Sequence, residues 1–306
     1  MKRLTLAAAL LLALSLAGCG PADKTTAGGK GTDSGETLKP TTLNIALVPS
    51  DDTEEMLSQF EKLRAYLEQE IKLPVKVQKV TSYAAVIEAM KHKRIEVAWF
   101  GPASYVLAEE EANAEPFAVS VDSKGSSTYV SEIILPPTSP IKDIKELGKK
   151  KLALVEPAST SGGLVPSYMI FQATGQPADK FCNVSYVQSH DTVVNVVKAG
   201  SVDAGATNNL TIDRMLSENK LKDTDFKVLA KSDPIPGSPL CFRKDLDPKI
   251  KDALWNALQK SPQVLGTYKI AGQGEIAGFK RIGAADYQVI RDIRQKLNVS
   301  RDTLLK

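Results

Sequence analysis

From Thr41 onward, short apolar runs alternate with longer amphipathic ones. Leu43–Val48 precedes a helical pattern over Glu54–Glu70, Val75–Val80 precedes Tyr83–Lys93, and Val97–Phe100 precedes Ala103–Glu111. A second set repeats the scheme: Lys151–Val155 then Gly163–Ala173, Asn183–Val187 then Thr192–Ala199, Ala204–Thr207 then Leu210–Asn219. Strand-length runs followed by helices of ten or so residues build parallel βαβ units, and two sets imply two doubly wound α/β lobes. Tyr129–Leu135 and Pro239–Arg243 read as strands leaving one lobe and returning to it, bounded by Pro136-Pro137 and by Pro234 to Gly237. The organisation predicted is a first lobe over 41–132, a second over 133–237 and a return over 238–306, joined by a two-strand hinge. The last stretch, Asp247 to Lys306, reads as helical and packs back on the first lobe. Such lobes bind ligands at the carboxyl ends of their strands, so the site belongs in the cleft, and the body closes by hinge motion.

The N-terminus has a different pattern. Lys2 and Arg3 precede an apolar run from Leu4 to Leu16, too short for a permanent membrane span but suited to an export signal. Leu16-Ala17-Gly18-Cys19 resembles a bacterial lipobox, so residues 1–18 are expected to be removed and Cys19 to carry lipid. Residues 19–40 are rich in Gly, Thr, Lys, Asp, Ser and Pro and cannot bury a core, which reads as a flexible tether with a reach of roughly 25 Å. The body is expected at the extracytoplasmic face of the cell membrane. Cys182 and Cys241 are too few for a disulfide framework and read as buried thiols, with a bridge as the alternative. A net charge of +3, without a basic patch, gives no sign of nucleic-acid binding.

The candidate chemistry is concentrated in Ser159-Thr160-Ser161-Gly162-Gly163, between a predicted strand and a predicted helix. Three hydroxyls and the unpaired N–H groups of a helix N-terminus make a cradle for an oxyanion, while the plainer reading is an N-cap. His190 opens a predicted helix just after a strand; it is either a donor to an anionic oxygen or a capping, exposed histidine. Tyr83 stands at a similar strand end, reaching the cleft or packing on the lobe surface. Ser50 belongs to Ser50-Asp51-Asp52-Thr53, which reads first as a helix cap, with Ser50 bordering a ligand as the alternative. His92 reads as surface, Asp203 as a turn residue, and the aromatic pair Trp99-Phe100 as core or cleft wall. The sequence contains no phosphate loop, no His-Glu-x-x-His, no Cys-x-x-Cys and no Gly-x-Ser-x-Gly, so neither a metal, a cofactor nor an activated nucleophile is expected. Chemistry on the ligand is not indicated.

Taken in order, Tyr83 to Met90, Val97 to Pro102, Ser159 to Gly162 with Val165-Pro166, Ser189 to Thr192, Ala206 to Asn209 and Ile235 to Gly237 resemble the phosphonate/phosphite-binding proteins of ABC transporters, from Thr41 to about Leu297. The resemblance implies a type II periplasmic binding protein fold. It also implies that Ser159, Thr160 and Ser161 hold the oxyanion, completed by Tyr83 and His190. Members that take aminoethylphosphonate carry carboxylates where this chain has Thr211 and Ser238, and some have a tyrosine where Phe100 stands. A buried ammonium without an acid partner is costly, so the expected ligand lacks an amine: methylphosphonate, another small alkylphosphonate, phosphite or, as the lesser alternative, phosphate. The implied partners are a permease with a separate ATPase subunit and, for the chain itself, a monomeric state. A sensor feeding a membrane signalling protein and a secreted phosphoesterase are the competing classes.

Overall fold

The computed structural model describes residues 37–305. The predicted signal, Cys19 and most of the tether lie outside the described residues. Within them, Leu38 is already fastened to the body: its N–H donates to the Asp245 carbonyl at 2.7 Å and its own carbonyl accepts from Asp247.

In chain order the first lobe opens with β1 (Leu43–Leu47), α1 (Thr53–Ile71), β2 (Val75–Gln78), α2 (Tyr83–Lys91), β3 (Val97–Trp99), α3 (Pro102–Glu111) and β4 (Ala114–Val121). The chain then crosses through β5 (Thr128–Tyr129) into β6 (Ser131–Leu135) and β7 (Lys151–Leu154). A π turn over Thr160–Leu164 leads into α4 (Val165–Thr174), the short α5 (Ala178–Phe181), β8 (Asn183–Tyr186), α6 (His190–Lys198), β9 (Ala204–Asn208), α7 (Asn209–Ser217) and β10 (Lys227–Lys231). It returns through β11 (Ile235–Pro236) and β12 (Pro239–Arg243) to α8 (Pro248–Leu265), a hairpin of β13 (Tyr268–Ile270) and β14 (Gly274–Ile276), β15 (Gly278–Arg281) and α9 (Gln288–Lys296).

Two sheets result, ordered β15-β4-β12-β3-β1-β2 and β10-β6-β9-β7-β8. The parallel pairs are those the alternation predicted, β1 with β2 and β3, and β7 with β8 and β9. In each sheet the direction of winding reverses at one strand, β1 or β7, and the crevice beyond its carboxyl end is where a doubly wound lobe holds a ligand. The fold is the predicted mixed α/β architecture of two lobes.

Several details differ from expectation. The crossing pair is the short β5–β11 ladder, Tyr129 opposite Ile235, whereas β6 and β12 are integral strands of the two sheets. β12 is buried throughout and lies antiparallel between β3 and β4, which its continuous apolar run allows and a lone crossing strand would not need. β4 was hidden by Pro116, which sits at the bulge where the register against Leu240 and Cys241 shifts. The tail after Asp247 is not wholly helical, because left-handed glycines at Gly266, Gly272 and Gly274 turn the chain into a hairpin and an edge strand. Cys182 and Cys241 are both buried and unpaired.

The helices begin where short polar side chains cap them. Asp52 accepts from Glu55 N–H, Ser82 from Ala85, Ser189 from Thr192 and Asn208 from Thr211. In α1, Met56, Phe60, Leu63 and Leu67 recur on one face and are buried against the sheet. Each of these caps follows a parallel strand, so the helix N-termini gather on the side of the sheets that borders the cleft.

Candidate functional site

The Ser159–Gly163 turn leaves the carboxyl end of β7, the reversal strand of the second lobe. Ser159 caps it by accepting from Gly162 N–H at 3.2 Å, and the Val155 N–H donates to the Gly162 carbonyl at 2.7 Å. The next residues form a π turn, a geometry that widens the backbone spiral and is favoured at functional sites. Both glycines are demanded by close approach. A Cβ at Gly162 would lie 2.3 Å from Val155 Cγ2 and 3.0 Å from His190 Cε1, and one at Gly163 would lie 2.3 Å from the Glu156 carbonyl oxygen.

Across the cleft, Val48 and Ser50 follow the carboxyl end of β1, and α2 begins at Tyr83. Asp52 takes the capping role for α1, so the buried Ser50 Oγ has no hydrogen-bond partner among the described residues, and Ser50 lines the cavity. Links between the lobes frame this space. His190 N–H donates to the Ser50 carbonyl at 2.8 Å, Ala103 N–H to Thr160 Oγ1 at 2.8 Å, and Tyr83 N–H to Glu156 Oε2 at 3.0 Å. The lobes are thus closed on one another.

The enclosed cavity is lined by Ser50, Tyr83, Ser159, Thr160, Ser161, His190 and Ser238, together with Val48, Gly101, Tyr129, Asn208, Gly272 and Gln273. Seven of the eight residues singled out from sequence are therefore brought together. Phe100 is not among them: its ring is fully buried in the core. Of the two positions weighed for an amine partner, only Ser238 borders the cavity; Thr211 Oγ1 instead donates to Asp51 Oδ1 at 2.9 Å. Tyr129, Asn208, Gly272 and Gln273 were not anticipated. Tyr129 lies on the crossing strand β5, and Gly272 and Gln273 on the hairpin mistaken for helix, so neither motif spacing nor helical periodicity could flag them.

Space open to atom centres within this cavity is about 20 Å³. A sphere of that volume reaches roughly 1.7 Å from its centre, which suits one central atom with oxygens a single bond away. Tyr129, Ser238 and Gln273 also border a larger, more open groove of about 550 Å³, whose other walls include Asp122, Lys124, Asp213, Lys269 and Glu275. That groove carries both signs of charge and none of the Ser159–Ser161 hydroxyls, so its greater volume does not make it the better oxyanion site.

Among the described residues no lysine, arginine or carboxylate lines the small cavity, and its polar atoms are neutral. Burial pushes the Tyr83 phenol well above its ordinary value and the Tyr129 phenol up to about 12, so both remain protonated donors. Burial lowers His190 to about 4, against a smaller opposing pull from Asp191. The ring is accordingly neutral near pH 7, with one N–H. Its Nδ1 is 3.1 Å from Thr207 Oγ1 and its Nε2 is 3.5 Å from Ser161 Oγ. When Thr207 donates to Nδ1, the Nε2 proton is directed at Ser161 and the cavity. Burial also raises Glu156, which favours its neutral form beside the hydroxyl turn. The arrangement can therefore hold a compact oxyanion by neutral donors and a helix N-terminus, and among the described residues no group of side chains is placed to hold a metal ion.

Comparison with known proteins identifies the family. Residues 45–287 match the family described as the periplasmic substrate-binding protein of phosphonate ABC transporters. The phosphonates-binding periplasmic protein of Escherichia coli (strain K12) is 27% identical over 259 residues, which span 82% of this chain and 73% of that protein. The phosphate-import protein PhnD of Mycolicibacterium smegmatis is 29% identical over 260 residues, spanning 81% and 78%. Among solved structures, PhnD1 of Prochlorococcus marinus (MIT 9301) in complex with methylphosphonate has the same fold, with a TM-score of 0.73, 20% identity, and coverage of 85% of this chain and 99% of that one.

Proposed function

The chain belongs to the periplasmic substrate-binding proteins of phosphonate ABC transporters, and from that premise we propose that it captures a small phosphorus oxyanion lacking an amine, methylphosphonate, another small alkylphosphonate or phosphite, between its lobes. The observation that carries this reading is the closed cavity itself. It is one tetrahedral group in size, it is lined by Ser159, Thr160, Ser161, Tyr83, Tyr129 and His190, and among the described residues no charged side chain lines it. A single anion held by neutral donors loses its water but keeps its hydrogen bonds, which is the condition for binding a buried charge. Each lobe supplies part of the set, so occupancy favours closure, and the closed form is the one a permease can recognise. The proposed whole is a lipoprotein tethered through Cys19, working as a monomer with a permease and a separate ATPase.

Phosphate is the second reading, favoured by the relative named for phosphate import. It differs from methylphosphonate by a hydroxyl in place of a methyl, so the outcome depends on whether that position meets a polar atom or carbon. The relatives above are named for binding and import, which weighs against the signalling alternative.

Calorimetric titration of the full-length protein with methylphosphonate, phosphite, phosphate and aminoethylphosphonate tests the reading. Tight binding of one of the first three, with aminoethylphosphonate much weaker, is the expected result. Ser238→Asp places a carboxylate on the cavity wall and should bring aminoethylphosphonate closer to the preferred ligand. Absence of heat across the panel would overturn the assignment.

A further inference from the structure

Beside the cavity, and outside its lining, lies a buried ionic cluster centred on Arg214 of α7. The guanidinium is almost wholly enclosed, with 6% of the side chain exposed, and the Asp51 side chain facing it is fully buried. Its Nη2 contacts Asp51 Oδ1 at 3.2 Å and pairs with Asp191 Oδ1; its Nη1 reaches Glu218 at 3.0 Å and Glu55 at 3.3 Å. Asp51 and Glu55 belong to the first lobe, Asp191 and Glu218 to the second.

The placement of two of these carboxylates is specific. Asp51 directly follows Ser50, and Asp191 directly follows His190; both preceding residues line the cavity from opposite lobes. The two segments are also joined by a backbone bond, His190 N–H to the Ser50 carbonyl at 2.8 Å, and by Asp52 N–H donating to the Asp191 carboxylate Oδ2 at 2.7 Å. Thr211, one turn before Arg214, donates to Asp51 as well. A cation buried among acids from both lobes has its full set of partners only when the lobes meet, because opening leaves Arg214 with Asp191 and Glu218 but separates it from Asp51 and Glu55 and returns all three to water.

We infer that Arg214 is a positioning residue for ligand binding: by clasping Asp51 and Asp191 it holds Ser50 and His190 at their closed separation, and so governs release of the ligand more than its capture. The inference rests on the proposed function, since Ser50 and His190 matter only if the cavity is the binding site. Capture draws on the fraction of molecules whose cleft is open and whose clasp is unmade; in the remainder the clasp holds the lobes together without ligand, and release requires it to break. Removal of one partner from a buried charge pair leaves the other uncompensated, so the loss appears in the dissociation rate.

The test is stopped-flow measurement of methylphosphonate association and dissociation on the full-length protein, with small-angle scattering of the same samples without ligand. Arg214→Ala should raise the dissociation rate by about tenfold or more while the association rate stays within roughly threefold. Arg214→Lys should recover part of the loss, as a point charge reaches one acid but not both. Asp191→Asn, which keeps the shape of a side chain less buried than Asp51, should shift the dissociation rate in the same direction and guards against a failure of Arg214→Ala to fold. An unchanged dissociation rate in Arg214→Ala, or a loss confined to association, would overturn the inference. If the wild-type protein does not bind methylphosphonate, the proposed function fails instead. The scattering then decides for the clasp if Arg214→Ala is the more expanded, and against it if the two profiles coincide.

Discussion

Substituting Gly162 by alanine is the most informative perturbation of the hydroxyl turn. The added Cβ would lie 2.3 Å from Val155 Cγ2 and 2.7 Å from Val155 Cβ, with His190 Cε1 at 3.0 Å. Carbon atoms prefer roughly 3.5–4.0 Å, so the intrusion is more than an ångström, against a β-branched side chain of limited rotamer freedom. Overpacking of this kind costs about 1–3 kcal/mol. Val155 is fully buried and its N–H donates to the carbonyl of residue 162 itself, so the strain has no route to the surface. It is relieved by displacing the turn toward His190, away from the position in which Ser159 to Ser161 and His190 converge. Gly162→Ala should therefore lower the urea midpoint and weaken methylphosphonate binding together. Val155→Ala alone removes two methyl groups and is destabilising through a cavity. In the double variant the new methyl occupies part of that cavity, so the two costs should fall short of additive by about 1 kcal/mol or more, with binding partly restored. Urea unfolding of the four proteins, with calorimetric titration of each, closes the cycle. Additivity within about 0.5 kcal/mol would refute the packing argument. Wild-type affinity in a destabilised Gly162→Ala would refute the link between the turn and the ligand.

The His190 ring supplies a pH prediction. Its value in the folded protein, about 4, lies below the roughly 6.5 of an unfolded chain. The unfolded state thus binds the extra proton first, and this contribution to stability is intact above pH 6.5 and lost as the pH falls toward 4, at up to about 1.4 kcal/mol per unit. Asp51 and Asp191, both raised by burial, act in the opposite sense. The measurement is accordingly a difference: urea midpoints from pH 7.5 to 4.5 for wild type and His190→Gln, with the wild type falling more steeply. Parallel curves would show that the ring does not titrate as described. A second change addresses the hydrogen bond between lobes. Thr160→Val removes the acceptor for the buried Ala103 N–H at 2.8 Å, a loss of about 1–3 kcal/mol in the closed form, so binding should weaken roughly tenfold to a hundredfold. Thr160→Ser keeps the oxygen and should remain near wild type; wild-type binding by Thr160→Val, or a loss confined to Thr160→Ser, would refute the hydrogen-bond account.

What the sequence by itself determined is whatever depends on neighbours along the chain. The alternation of strands and helices and the caps at Asp52, Ser82, Ser189 and Asn208 follow from local periodicity and hydrogen-bonding capacity, whereas the need for glycine after Ser161 comes from the close approach of Val155, Glu156 and His190. Those local rules also place Ser50, Tyr83, Ser159 and His190 at strand ends, and strand ends of doubly wound lobes face the cleft, which is why these residues could be named in advance. Only the tertiary structure decided which residues met there from elsewhere. Tyr129 arrives on a two-residue strand and Gln273 on a hairpin, elements too short for any period to register. Phe100 turns into the core although its neighbour Gly101 lines the cavity, a choice made by packing on the far side of β3. Thr211 faces Asp51 and not the cavity, because one step along a helix rotates a side chain by about 100°. Arg214 gave no signal in the sequence, since a lone arginine on an amphipathic helix is ordinarily a solvated charge. Its enclosure by acids from both lobes exists only once two segments some 160 residues apart have been brought into contact, as Thr211 and Asp51 are.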